Sequence, residues 1–237
     1  MKRVAIMQPT YLPWLGYFSL MDQVDTFVFL DSVQFNKRSW QQRNRIKTPR
    51  GELMLTVPVK TKGRRYQKLC EVEVDNGQTF QHKHLKAMEY SYSKAFYFSV
   101  YWDDIHQTLG QDYRYLVDLN IAMIEEFRTK LGIKVELLRS SSLNTEGRNV
   151  ELLINLCRLL GADSYLSPKG SSVYIEENNL FQKNGIELLY PDYIHPHYRQ
   201  LYNSFAPYMS ILDLLMNEGD RSLDIIRIGQ NCINENR

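Results

Sequence analysis

Long apolar runs are missing from this 237-residue chain, and none approaches the ~18 residues that a membrane-spanning helix needs. The apolar stretch that opens the chain stops at Gln8-Pro9, too short for the core of a secretory signal. Cysteine is scarce: Cys70, Cys157 and Cys232 lie far apart and show no paired spacing. That pattern excludes a disulfide framework and a zinc motif, and it predicts a protein of the reducing cytoplasm. The chain also lacks a dinucleotide glycine fingerprint, a full phosphate-loop spacing, a nucleophile elbow, internal repeats and low-complexity linkers. Net charge is small, +2, so no global field of one sign dominates.

The small net charge hides an asymmetry. Residues 34–68 hold eleven lysines and arginines against one acid, Glu52, so the remainder of the chain is acidic. Such a block concentrates positive potential and marks where an anionic partner would land. Tyrosine is abundant, sixteen residues, which predicts polar-tipped rings along the core edge and in clefts. Ordinary apolar (43%) and charged (24%) fractions make the chain a folded globule.

Residues 2–8 read as a strand, 14–21 as a short helix and 25–31 as a second buried strand, with the stiff two-proline loop Gln8-Pro9-Thr10-Tyr11-Leu12-Pro13 between the first two. Within the basic block, residues 43–47 and 53–59 look extended around an Arg50-Gly51 turn, predicting a hairpin that reaches toward residues 70–74. Helices are expected over 78–92, around 101–109 and over 112–131, the last stopping at Gly132. Strands follow at 135–138, 164–166 and 186–190. A helix capped by Asn144 or Thr145 ends at Gly161, and a C-terminal helical region starts at 211. The order predicts an α/β fold, a Rossmann-like doubly wound and mostly parallel sheet, with the basic insertion (34–75) lodged over one edge and a helical segment (77–131). One domain over 1–229 and a frayed tail at 230–237 complete this expectation. Ligands of such sheets bind beyond the carboxyl ends of the strands, where Gln8-Pro9, Asp31, Ser140-Ser141-Ser142 and Ser167-Pro168-Lys169-Gly170 fall.

Several groups there carry chemistry. The loop from Gln8 through Pro9, Tyr11, Trp14 and Gly16 to Tyr17 leads into a helix N-terminus, which favours an anion, or it is a rigid connection whose aromatics pack. Asp31 could orient a substrate hydroxyl or amine, or hold a metal. Lys37, Arg43 and Asn44 could grip phosphate, or form a solvated edge. Lys169 belongs to a turn able to hold an anion. In His195-Pro196-His197-Tyr198-Arg199-Gln200, an extended backbone points both histidines the same way. A zinc site would need further ligands, and none is evident, so no metal is assigned. Histidine here suits acid–base work or the capping of a loop.

These pieces, in this order, resemble the WbqC-like protein family. The matching stretches are residues 7–18, the segment from Asp31 to Arg43-Asn44, Tyr165-Leu166-Ser167, the His195-Pro196-x-Tyr198-x-Gln200 box and residues 210–215. The resemblance implies an association with bacterial surface-polysaccharide (O-antigen) gene clusters. It further implies attachment of an amino acid, such as glycine, to the amino group of a nucleotide-linked amino sugar. On that footing the Gln8–Tyr17 loop and the basic arm hold substrate phosphates. His195 is the candidate general base, with Tyr198 and Gln200 orienting it, and His197 stands beside it. No cofactor is required; the donor is an aminoacyl-tRNA, or an acid activated with ATP and Mg²⁺. A second resemblance, to nucleotidylyltransferases, lies in the strand, Pro9 and Trp14-Leu15-Gly16-Tyr17 opening a helix, but Trp14 and Tyr17 stand where the two loop histidines would be. Adenylyl transfer would therefore need other donors. A non-catalytic tRNA- or nucleic-acid-binding protein is the third alternative, supported by the basic arm alone.

Overall fold

The computed structural model describes residues 1–168, 179–202 and 204–230. Five short strands form one sheet: β1 (Arg3–Met7), β2 (Thr26–Phe29), β5 (Glu136–Arg139), β6 (Ser164–Leu166) and β7 (Glu187–Leu189). Their order is β5-β2-β1-β6-β7 and every pairing is parallel. Counted within this sheet alone, that is the 3-2-1-4-5 order of a Rossmann-like sheet, which reverses its winding at β1. The sheet is short because β1 and β2 are buried on both faces, and such strands need only a few apolar residues to span the core.

Alternation along the strands supplies both faces. Ala5, Phe27, Phe29 and Leu166 enter the larger core, which is walled by α1 (Leu15–Met21), α2 (Phe80–Tyr92), α3 (Phe98–Leu109) and α4 (Leu116–Leu131). The C-terminal helices α7 (Ile211–Glu218) and α8 (Ser222–Ile228) close the same side. Val4, Ile6, Val28 and Tyr165 point the other way, onto α5 (Asn149–Leu159) and the single turn α6 (Leu180–Lys183). Helices on both faces make the sheet doubly wound. Cys157 lies in the second core, where burial pushes its thiol up to about 12, so its role is packing.

The basic insertion is a separate two-stranded hairpin, β3 (Arg43–Thr48) and β4 (Gly51–Thr56), joined through Pro49-Arg50. It does not lie over a sheet edge as expected. Its return segment pairs with the loop after β2: Leu69 N–H donates to Val33 O, Phe35 N–H to Gln67 O, and Cys70 N–H to Asp31 O, at 2.9–3.0 Å. The insertion is therefore anchored at the carboxyl end of the sheet. Two further expectations change. The N-cap of α5 is Arg148, three or four residues later than the predicted cap, and it makes no side-chain cap. Gln230 is not frayed, since it forms a β-bridge with Tyr193 and donates to Ser19 O at 3.2 Å; 231–237 lie outside the described residues. No described helix is long and apolar enough to cross a membrane.

Candidate functional site

Where β1 pairs with β2 on one side and β6 on the other, the chains leaving these strands diverge and open a crevice. The crevice is a cleft of about 1040 Å³. Its apolar wall includes Ile6, Leu30, Val33, Leu153 and Tyr165. Polar groups converge from three loops: Gln8 and Thr10 after β1, Gln34 and Asn36 after β2, and Ser167 after β6. A fourth side is the start of α5, where Arg148 and Glu151 are the one cation and the one carboxylate among the described lining residues. Gly147, at φ +112°, lets the chain cross close over that start, since a Cβ there would sit 3.1 Å from Leu152 N. The uncapped first turn of α5 thus presents its N–H groups and positive dipole end to the cleft. An apolar pocket with a few convergent polar groups is the usual form of a small-molecule site.

The wall carrying Gln8 is stapled rigidly. Gln41 Nε2 donates to Gln8 Oε1 at 2.8 Å, and Tyr11 N–H donates to Trp40 O at 3.0 Å. Asn44 Nδ2 donates to Leu12 O at 2.7 Å, while Asn120 Nδ2 donates to both Pro9 O and Gln41 O. Asn44, expected as a phosphate ligand, is therefore buried and spent on the backbone of the loop it was expected to assist. Tyr11 and Tyr17 are corrected likewise: both rings are fully buried. The Tyr11 hydroxyl shares a 2.8 Å hydrogen bond with His84 Nδ1, and burial lowers His84 to about 4, so this imidazole is neutral. Pro9 is buried beneath the same staple.

Trp14 faces away from this wall. Its indole stacks on His195 (6.2 Å between centroids, 9° between planes) and meets Tyr193 and Tyr208 edge-on or tilted. Gly16 is there to admit that indole rather than a ligand, because a Cβ at this position would sit 2.2–2.3 Å from two carbons of the ring. Gly16→Ala is expected to force the indole out of its stack and lower stability by about 1–3 kcal/mol. Urea unfolding would show this, together with a change in tryptophan emission; unchanged emission would disprove the contact.

His195 is held at both nitrogens. Nδ1 bonds Pro196 O at 2.9 Å, and Tyr208 N–H donates to Nε2 at 3.0 Å. These partners require a neutral ring protonated on Nδ1, and burial lowers its pKa further. No lone pair is left for an attacking amine, so the expectation of a general base at His195 is corrected: this ring caps a loop. His197 is exposed and lies over Phe205, 4.0 Å between centroids. Tyr198 and Gln200 do not orient His195 by hydrogen bonds. Gln200 Nε2 donates to Tyr198 Oη (3.2 Å), which donates to Asp213 Oδ2 (2.9 Å), and Lys47 Nζ donates to Gln200 Oε1 (3.0 Å). Among the described residues no cluster of three or more His, Cys, Asp or Glu could hold a metal ion.

Asp31 is also spent. Its Oδ1 accepts from Ser140 Oγ–H (3.1 Å) and Ser141 N–H (2.8 Å), and its Oδ2 from Arg139 Nε (2.9 Å) and Ser141 Oγ–H (2.7 Å). With 0% exposure and both oxygens engaged, it clamps β2 to the turn after β5. It is a fold residue and not a catalytic one.

A family model described as the WbqC-like protein family matches residues 8–225, from the first residue after β1 into α8. The chain belongs to the WbqC-like protein family. It is 38% identical over 236 residues to the uncharacterized protein Rv1507c of Mycobacterium tuberculosis, with 96% of this chain and 98% of that protein covered. No solved structure matches the chain.

In this WbqC-like protein the predicted residues fall into distinct places. Gln8 lines the cleft and Pro9 underlies it. Trp14, Gly16, His195, His197, Tyr198 and Gln200 belong to the aromatic and polar cluster near β3 and α7. Lys169 lies outside the described residues. Lys37 is exposed, with Nζ donating to Thr61 Oγ1 at 3.2 Å, and half-buried Arg43 has no ion pair among the described residues. Of the eleven basic residues, only Arg45, Lys60 and Arg64 form ion pairs among the described residues, with Glu52 and Glu73; Lys47 is buried. The other seven supply the unbalanced charge of the insertion. Sequence reasoning missed Gln41, Asn120, Arg148, Lys47 and Asp213. Asn120 and Asp213 each interrupt an apolar helical face, and that was the available signal.

Proposed function

We propose that this WbqC-like protein is a cytoplasmic transferase of surface-polysaccharide biosynthesis, which holds a nucleotide-linked amino sugar in the cleft beyond β1 and β6 and acylates its amino group. The observation that carries this reading is the position of the cleft, at the winding reversal of a doubly wound sheet, where such folds take nucleotides. Its volume suits a nucleotide sugar, and Arg148 with the positive end of α5 suits the diphosphate. The reaction needs little from the protein beyond positioning. The sugar amine forms a C–N bond to the acyl carbon, the donor leaves with the electrons of its C–O bond, and the amine gives up a proton. In this reading Glu151 takes that proton, and glycine is the simplest acyl group. The donor is an aminoacyl-tRNA or an acid activated with ATP and Mg²⁺, so no resident metal is invoked.

A second reading, a polyanion-binding protein, is favoured by the seven cations without an ion pair among the described residues and by Tyr66, 76% exposed with the Arg65 guanidinium 5.7 Å from its ring centroid. One thermal-shift panel separates the two: dTDP, UDP, GDP, ATP with Mg²⁺, coenzyme A and bulk tRNA. A nucleoside diphosphate at ~100 times its Kd is expected to add ~2.7 kcal/mol, which is several degrees for a domain of this size. A shift with tRNA alone, lost steeply with salt, would replace the transferase reading by the second. A shift with ATP and Mg²⁺ alone would turn it to adenylyl transfer.

A further inference from the structure

In Rossmann-like sheets the first turn after β1 meets the phosphates with backbone N–H groups at the start of the first helix. In this chain that helix start is covered. Pro13 has no N–H, its carbonyl accepts from Ile211 N–H at 2.8 Å, Trp14 bridges to Ser210, and Leu15 is fully buried. The cleft wall at this turn offers a side-chain amide instead, that of Gln8.

Which end of that amide faces the cleft is decided elsewhere. A backbone N–H can only donate, and Asn36 N–H donates to Gln41 Oε1 at 2.7 Å. The remaining end of the Gln41 amide must then donate, and Gln41 Nε2 does so to Gln8 Oε1 at 2.8 Å. Among the described residues Gln8 is left with its NH₂ group unspent. Gln41 is held in this sense: its side chain is packed inside, at 2% exposure, the Asn36 N–H fixes its Oε1, and Asn120 Nδ2 anchors its backbone carbonyl at 2.7 Å. Across the cleft stand Arg148 and the positive end of α5, which favour the same kind of ligand atom.

We propose that Gln8 Nε2 donates to a pyrophosphate oxygen of a nucleoside diphosphate in the cleft, and that Gln41 is the positioning residue that sets the polarity Gln8 presents. The proposal rests on the reading of the cleft as a nucleotide site. Glu at position 41 can only accept, so it would take the Gln8 NH₂ and turn the Gln8 carbonyl oxygen toward the phosphates. The test is calorimetric titration of the full chain with dTDP, UDP, GDP, the matching nucleosides and inorganic pyrophosphate. Gln41→Glu is compared in the wild-type background and in a Gln8→Met background, which separates polarity from the added charge.

In the wild-type background Gln41→Glu is expected to weaken diphosphate binding about tenfold or more and to leave any nucleoside binding unchanged. Gln8→Met weakens diphosphate binding about tenfold, and Gln41→Glu then adds nothing. An equal loss in both backgrounds, or an equal loss for the nucleosides, overturns the proposal and leaves the cleft as a nucleotide site. Binding of none of these probes by wild type overturns both the proposal and the reading beneath it.

Discussion

Asp31→Ala is expected to unfold about 3–5 kcal/mol more easily than wild type, the largest single loss of any substitution considered in this chain. The carboxylate is wholly buried, and its two oxygens accept four hydrogen bonds from Arg139, Ser140 and Ser141. Ser140 Oγ also accepts from the N–H groups of Asp31 and Ser32, so removal of the carboxylate unsettles the backbone after β2 as well. Arg139 keeps one carboxylate partner after the substitution, Asp118 at 2.8 Å. Asp31→Asn keeps the volume but brings an NH₂ against donors, and a smaller loss of about 2–3 kcal/mol is expected. Urea titration followed by circular dichroism measures both. A loss under about 1 kcal/mol for the alanine variant would show that the clamp is not what holds β2 to β5.

Stability is expected to fall as pH rises through about 6, because of Asp213. Burial pushes this carboxyl up to about 6 from 3.8, against the opposing pull of the Tyr198, Tyr92 and Gln200 dipoles and the Lys47 charge. The folded state therefore binds this proton more tightly than the unfolded chain. Its contribution is fully present below the ordinary carboxyl value and is lost as pH rises through about 6. The full span corresponds to about 3 kcal/mol. The facing groups are Lys47 from β3, Tyr92 from α2, and Tyr198 and Gln200 from the loop before α7. Burial lowers Lys47 while Asp213 opposes the shift. The informative quantity is the wild-type stability minus that of Asp213→Asn, measured by urea unfolding from about pH 4 to 8. It should decline from about pH 4 to about 7 and level off above that, and parallel curves would place the titration elsewhere.

Much of the fold could be read directly because local pattern and tertiary role agree. β1 and β2 are short β-branched or aromatic runs, α4 repeats apolar residues at core spacing up to Gly132, and the hairpin turns at Pro49-Arg50 before Gly51. The start of α5 misled for a local reason. Asn144 and Thr145 are good capping residues, but Gly147 and the positive φ of Asn149 place the first helical turn later. The site was legible as a location, the carboxyl ends of the strands, and much less so as a set of residues. Asp31 stands at such an end, yet its oxygens are taken by residues more than a hundred positions away. A histidine pair reads as chemistry until Tyr208 N–H is found on His195 Nε2. Which lone pairs and donors remain unspent is decided by contacts between distant segments, and residue types cannot express that. Gln8 is the converse case, where a distant partner leaves a donor free.

The sheet order has a consequence during synthesis. β2 finds its outer neighbour, β5, only after the hairpin and three helices have been made, and β1 waits longer still for β6. At ribosomal rates of ~5–20 residues per second, the nascent β1–β2 pair stands with both edges bare for roughly 5–20 s. Phe27, Val28 and Phe29 form one of those edges, so the emerging chain carries a sticky two-stranded intermediate that the finished protein conceals. Yield at high expression should accordingly depend on translation speed and on chaperone supply more than the stability of the finished fold would suggest.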